Sequence, residues 1–170
     1  MIVLMAGLPG TGKSTLARAL AAECNGAVLD KDEIRCALFP PAFLEYSAEQ
    51  DDFCQSLMHD TAAYLLGRHP ALHVFLDGRT FSRAYQIESA ITAANRLNTP
   101  WRIIECVCSE PTARMRLEAS RASHPAQNRD YALYKRIQAE FELIQGPKLV
   151  VSTDTTIAEC VSVALPYLAA

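Results

Sequence analysis

Residues 7 to 15 read GLPGTGKST, set between an apolar run, MIVLMA, and an Ala- and Leu-rich stretch, STLARALAAE. No other feature restricts the fold as tightly. Gly7, Gly12, Lys13 and Ser14 satisfy the spacing G-x-x-x-x-G-K-[ST]. That spacing calls for a strand, a tight loop and a helix in immediate succession. The loop's N–H groups and the positive helix end then converge on one anion. On this reading Gly7, Leu8, Pro9, Gly10, Thr11, Gly12, Lys13, Ser14 and Thr15 cradle the phosphates of a nucleotide. Lys13 places a point charge on the β- and γ-phosphates, and Ser14 offers its hydroxyl to magnesium. A glycine turn that binds nothing would not require this flanking strand and helix.

The rest of the chain extends the same alternation. Apolar runs at 1–6, 27–30, 73–77, 101–108 and 148–151 read as strands, with helical patterns at 13–24, 31–38, 47–67, 82–97, 110–122, 129–144 and 155–168. Such alternation predicts an α/β fold: a doubly wound, parallel, five-stranded sheet with helices on both faces. Ligands of such sheets bind at the carboxyl ends of the strands, so the polar residues there are the ones to inspect. Ser47 with Gln50 predicts a capping box, and Gly67 a close to that helix; Ser109 before Glu110 and Pro111 marks another start. SHPAQNRD, 123–130, suits a mobile loop.

Composition narrows the function. A chain of 170 residues fits a single domain spanning 1–170, burying roughly 70% of the surface its unfolded chain would expose. A net charge of −3 argues against a protein that grips long nucleic acid. The six cysteines include no C-x-x-C pair. Cys106 and Cys108, two apart in a strand, read as small core residues, which fits a reduced cytoplasmic protein. The first apolar run lacks a basic leader and reads as a strand, not a signal peptide; no run approaches the ~20 residues of a membrane span.

Three classes of nucleotide-binding protein compete. The D-x-x-G and N-K-x-D elements of a GTPase are missing, as is an LSGGQ-like transporter signature, and a mechanical ATPase needs more chain. A small kinase or a nucleotide-binding module without catalysis remains. The second strand runs into LDKDEIR, residues 29–35. Asp32 is placed to orient an acceptor hydroxyl and take its proton, and Arg35, one turn on, to face the transferring phosphoryl group. The competing reading has Asp30 or Asp32 capping the helix 31–38, which accounts for an acid but not for the arginine.

GLPGTGKST with Asp32-x-x-Arg35 resembles the P-loop kinases of the polynucleotide-kinase, zeta-toxin and chloramphenicol-phosphotransferase group, and uncharacterised AAA-type ATP-binding predicted kinases. The resemblance spans most of the chain in layout and is specific at 7–15 and 30–35. It implies a strand order of 2-3-1-4-5, ATP and Mg2+ as cofactors, Asp32 as general base, and Arg35 as a substrate or phosphate contact. Asp77, ending VFLDGRT, would reach the magnesium or, as in related families, hold the arginine after the second strand; Arg79 and Arg83 follow, facing either the acceptor or solvent.

An arginine-bearing lid at about 110–130 is also implied, holding Arg114, Arg116, Arg121 and Arg129. Arg116, Leu117 and Arg121 are spaced R-L-x-x-x-R where the related lids use R-L-x-x-R. Arg121 and Arg129 flank the mobile loop and are favoured for catalysis and phosphate contact, with Arg116 alongside. Met115, Ala119 and Ala122 are expected to form the packed face of this helix. Ser152, Thr153 and Asp154 border the adenine in related kinases or cap the last helix; capping is the simpler expectation.

The acceptor should lie near residues 36–60. Glu45, Glu49, Asp51 and Asp52 there repel a polyanion at short range, and suggest a small neutral or cationic hydroxyl compound. The expected activity is ATP-dependent transfer of the γ-phosphoryl group to that hydroxyl. A regulatory module or slow ATPase, and a kinase of 5′-hydroxyl nucleic-acid ends, are the alternatives.

Overall fold

The computed structural model describes residues 1–120, 126 and 128–169. β1, Ile2–Ala6, is an unbroken apolar run and is wholly buried, as a strand covered on both faces must be. It pairs in parallel with β3, His73–Asp77, on one side and with β4, Trp101–Val107, on the other. β2, Gly26–Asp30, lies outside β3, and β5, Leu149–Ser152, outside β4. All five strands are parallel in the order β2-β3-β1-β4-β5, the expected topology.

Alternate residues of β1 feed two separate cores. Ile2, Leu4 and Ala6 pack with Met58, Ala62 and Leu66 of α3, Ala48–Arg68, and with Ile87, Ala90 and Ala94 of α4, Ala84–Arg96. Val3 and Met5 point the other way. They meet Leu16, Ala17 and Leu20 of α1, Lys13–Glu23, and Cys160, Ala164 and Leu168 of α7, Ile157–Ala169. The period-2 alternation of a strand thus serves two helical layers at once. Cys106 sits in the second core, where burial pushes its thiol up to about 12.

The other α-helices among the described residues are α2, Lys31–Leu38, α5, Glu110–Ser120, and α6, Tyr131–Glu140. Ala113 and Leu117 of α5 pack with Tyr134 of α6. The expected packed face is therefore corrected: Met115 is exposed, and Ala122 lies outside the described residues, as do Arg121 and residues 123–125 and 127 of the expected mobile loop. Ser47 does cap α3, accepting from Gln50 N, but Gln50 turns its own side chain to Glu45 N and the Phe43 carbonyl. Gly67 lies inside α3, and His69 follows the helix instead. Among the described residues no helix is long and apolar enough to cross a membrane.

Candidate active site

At the carboxyl end of β1 the chain order reverses, with β3 on one side and β4 on the other. That is where the GLPGTGKST loop sits. Gly7 has φ +131°, and a Cβ there would lie 2.3 Å from the Cys106 carbonyl oxygen, so neither its backbone angle nor its space admits a side chain. Gly10, at φ +82°, lets the loop approach α5; a Cβ would lie 2.8 Å from the Ala113 carbonyl oxygen. Lys13 opens α1 and is almost fully buried. Its ammonium donates to the Gly7 and Leu8 carbonyls, each at 2.8 Å. Burial lowers its pKa to about 8, with Asp77 pulling the other way.

Parallel register sets Asp30 beside Asp77 at the ends of β2 and β3. The two acids have different work. Asp30 is the N-cap of α2, accepting from Asp32 N at 2.9 Å and Glu33 N at 3.4 Å. Burial, then the Asp77 and Asp32 carboxylates, push it up to about 6. Because Asp30 takes the capping role, the Asp32 side chain is left to face the cavity. Asp77 is fully buried, and neither of its carboxylate oxygens has a hydrogen-bond partner among the described residues. Among the described residues it makes no bond to Arg35, which pairs with Asp32 and Asp51 instead.

Arg35 is held elsewhere. Its Nη1 donates to Asp32 Oδ1 at 2.8 Å and its Nη2 pairs with Asp51 Oδ1. Lys31 reaches the same two acids, Asp51 at 2.8 Å and Asp32 at 3.3 Å. Tyr46 covers the Arg35 guanidinium, its ring centroid 5.2 Å away. Two cations and two carboxylates from α2 and the first turn of α3 thus form one ladder. Arg79, also buried, pairs with Asp52 at 2.6 Å and donates to Tyr85 at 3.2 Å. Arg83 is half-buried and bonds Glu140 and Glu142.

Two cavities open on this arrangement. The first, about 510 Å³, lies over the loop and α1, between Gly12, Thr15, Arg116 and Thr153. Arg116 Nη1 donates to Thr153 Oγ1 at 2.9 Å, and Nη2 to the Thr153 carbonyl at 2.6 Å. Thr153 in turn donates to the Thr11 carbonyl at 2.9 Å. Asp154 caps α5, accepting from Ser109 N at 2.7 Å, whereas α7 is capped by Thr156 with Glu159. The expectation of Asp154 as cap of the last helix is corrected accordingly.

The second cavity, about 270 Å³, is bounded by Lys13, Ser14, Asp32, Arg35 and Arg79, with α6 forming the far wall. Arg129 lines both cavities. Its guanidinium donates to Ser120 at 3.3 Å. Burial lowers its pKa, while Asp32, Asp77 and Asp30 act against that fall. Arg114 is exposed and bonded to Glu118, outside the site.

Sequence reasoning brought the right strand ends together and missed one role and two contributors. Asp51, expected near the acceptor as an acid that repels a polyanion, is the anchor of Lys31 and Arg35. Lys31 was passed over between two aspartates. Arg136 of α6 lines the second cavity, and no motif marks it. Of the four acids expected around the acceptor, only Asp51 lines that cavity; Glu45, Glu49 and Asp52 do not.

Residues 2–144 match the AAA domain family, and the chain belongs to it. No curated protein sequence matches it. Among solved structures, Chaetomium thermophilum Kti12 in complex with ADP-AlF3 superposes with a TM-score of 0.76 at 16% identity, over 100% of this chain and 98% of that one. Mycobacterium tuberculosis APS kinase CysC in complex with AMPPNP and APS gives 0.74 at 20% identity, over 99% and 97%. A gluconokinase from Sinorhizobium meliloti 1021 gives 0.71 at 17%, over 99% and 90%. The shared property is the fold, that of P-loop kinases.

Proposed function

We propose that the chain is an ATP-dependent kinase that transfers the γ-phosphoryl group to a hydroxyl of a small molecule. One observation carries this reading: the nucleotide-side and acceptor-side cavities meet at the loop, and Arg129 lines both. A protein that only senses a nucleotide needs the first cavity alone.

In this reading Gly7 to Thr15 hold the triphosphate, and Arg116 and Thr153 border the rest of the nucleotide. Lys13 exchanges its bonds to the Gly7 and Leu8 carbonyls for β- and γ-phosphate oxygens. Asp32 is the general base. As the acceptor oxygen bonds to the γ-phosphorus, the bond to the β–γ bridging oxygen breaks, ADP leaves, and the hydroxyl proton passes to the Asp32 carboxylate. Arg129 and Arg35 meet the charge spread over the phosphoryl oxygens; Arg121, given the same role from the sequence, lies outside the described residues.

The donor set also suits a magnesium ion. Asp77 is fully buried and its two carboxylate oxygens have no hydrogen-bond partner among the described residues, and magnesium is held by one or two protein oxygens plus phosphates and water. Ser14 and Asp77 would hold it, and it would supply positive charge to the phosphates during transfer.

The second reading, a regulatory module or slow ATPase, draws on the ion pairs of Asp32, which a purely structural ladder would also make. Incubation with γ-labelled ATP and magnesium across a panel of sugars, nucleosides, hydroxylated antibiotics, hydroxy acids and 5′-hydroxyl oligonucleotides separates the two. Label on one acceptor is the expected result. Label released only as phosphate, at one slow rate with every candidate, favours the module.

A further inference from the structure

We infer that the acceptor carries an oxyanion, a carboxylate or a phosphate or sulfate ester, beside the hydroxyl that is phosphorylated. The inference rests on the kinase reading and deepens it.

The charges lining the second cavity decide the matter. Its wall presents Lys31, Arg35, Arg79, Arg129 and Arg136, besides the phosphate-binding Lys13, against Asp32, Asp51 and Glu140. The acids are already committed. Asp51 takes both Lys31 and Arg35, Asp32 takes the same two cations, and Glu140 pairs with Arg83 outside the wall. Among the described residues the one acid paired with Arg79 is Asp52, a half-exposed side chain that does not line the cavity. Arg136 has no acidic partner among the described residues, and the Nε atoms of Arg35 and Arg79 are buried without an acceptor. With Arg129 and Arg35 assigned to the transferring phosphoryl group, Arg79 and Arg136 are the surplus: among the described residues no acid of the wall pairs with either.

A neutral sugar would leave that surplus uncompensated, and a cationic acceptor would add to it. An oxyanion completes it, and Arg79 from the β3–α4 loop and Arg136 from α6 are the side chains left to receive one. The cavity volume suits a compact molecule of a few carbons. This inference departs from the sequence-based expectation of a neutral or cationic acceptor, because two of the acids behind that expectation, Asp51 and Asp52, are ion-paired within the protein.

Calorimetric titration of the full chain, saturated with AMPPNP and magnesium to block the phosphate loop, tests this directly. The probes are two matched series: glycerol, glycerate and glycerol 3-phosphate, then ribose, ribonate and ribose 5-phosphate. The expected result is at least tenfold tighter binding of an anionic member than of its neutral parent. Preference for the acid or for the ester says which oxyanion is read. Arg136→Gln should remove about that tenfold for the anion and leave the neutral parent unchanged; its side chain is exposed and makes no ion pair among the described residues, which makes the variant safe for folding. Equal binding of neutral and anionic members, binding of neutral members alone, or no binding of any anionic member overturns the inference. Anion binding without transfer in the labelled assay sinks the kinase reading instead and leaves the pocket assignment standing.

Discussion

The two halves of the site are built in different ways. The nucleotide side is made of main chain. Three glycines with positive φ, a helix N-terminus and one lysine create it within nine contiguous residues. The acceptor side is made of side chains from α2, α3, α6 and the loop after β3, held in a ladder of alternating charge. A main-chain cradle is rigid and general, because its donors are fixed by backbone geometry. A charge ladder is adjustable, because each rung can be exchanged without moving the sheet. The common fold supplies the first, and the acceptor is chosen by the second.

Several substitutions would break or sharpen this contrast. The largest effect is expected at the junction. Asp77→Asn should lower transfer about 10²–10³-fold. The melting temperature of the ligand-free protein separates two roles: little change beside the lost transfer would mark a functional acid, and a clear fall in both a structural one. Arg129→Ala should reduce kcat about 10²-fold while changing the affinity of either substrate far less, since its charge is matched to the transition state. Equal losses in nucleotide binding and rate would move Arg129 into the cradle.

Asp51→Asn acts on the ladder alone. It strips one anchor from Lys31 and Arg35 and should cost about 1–3 kcal/mol of stability. The KM for the acceptor should rise while the nucleotide Kd stays within about twofold, as expected of sites without shared partners. A large change in nucleotide affinity would erase the distinction between the halves.

The smallest effect is a pH dependence confined to the nucleotide half. Lys13 is lowered by burial to about 8 from an ordinary 10.5. Below about 8 it is cationic and binds phosphate; as pH rises through that value the charge is lost. Nucleotide affinity should therefore weaken above about pH 8, and binding near that pH should take up protons. The sign for folding is opposite. Between about 8 and 10.5 the unfolded chain holds the extra proton, so the stability of the ligand-free protein should rise with pH across that window. Calorimetry in buffers of different ionisation enthalpy reads the first, and thermal melts read the second.

The same contrast explains what could be read from the amino-acid order. The loop and the strand ends were legible because their chemistry is local: Gly7 to Ser14 are contiguous, and Asp32 and Asp77 each follow an apolar strand directly. Strand order followed from the family resemblance. The ladder was not legible, because Lys31 and Asp51 are twenty residues apart and meet only when α3 folds back beside α2. Acids at the start of α3 have a sufficient local reason, the helix dipole, and that reason hid their longer-range one. Arg136 reaches the cavity only through the docking of α6. Capping misled in the same way at Asp154, which serves the start of α5 after the neighbouring strand β4 rather than α7 next in the chain.

The central claim is that Asp32 is the base of a transfer reaction and not merely a rung of the ladder. Asp32→Asn keeps the side chain's size and its ability to accept from Arg35, and removes its capacity to take a proton. Phosphoryl transfer from γ-labelled ATP should be measured for this variant beside the unaltered protein, on the acceptor identified by the panel, together with the nucleotide Kd of each. Transfer reduced at least about 10²-fold with nucleotide affinity nearly intact is the predicted result. Equal turnover by the two proteins would contradict the account.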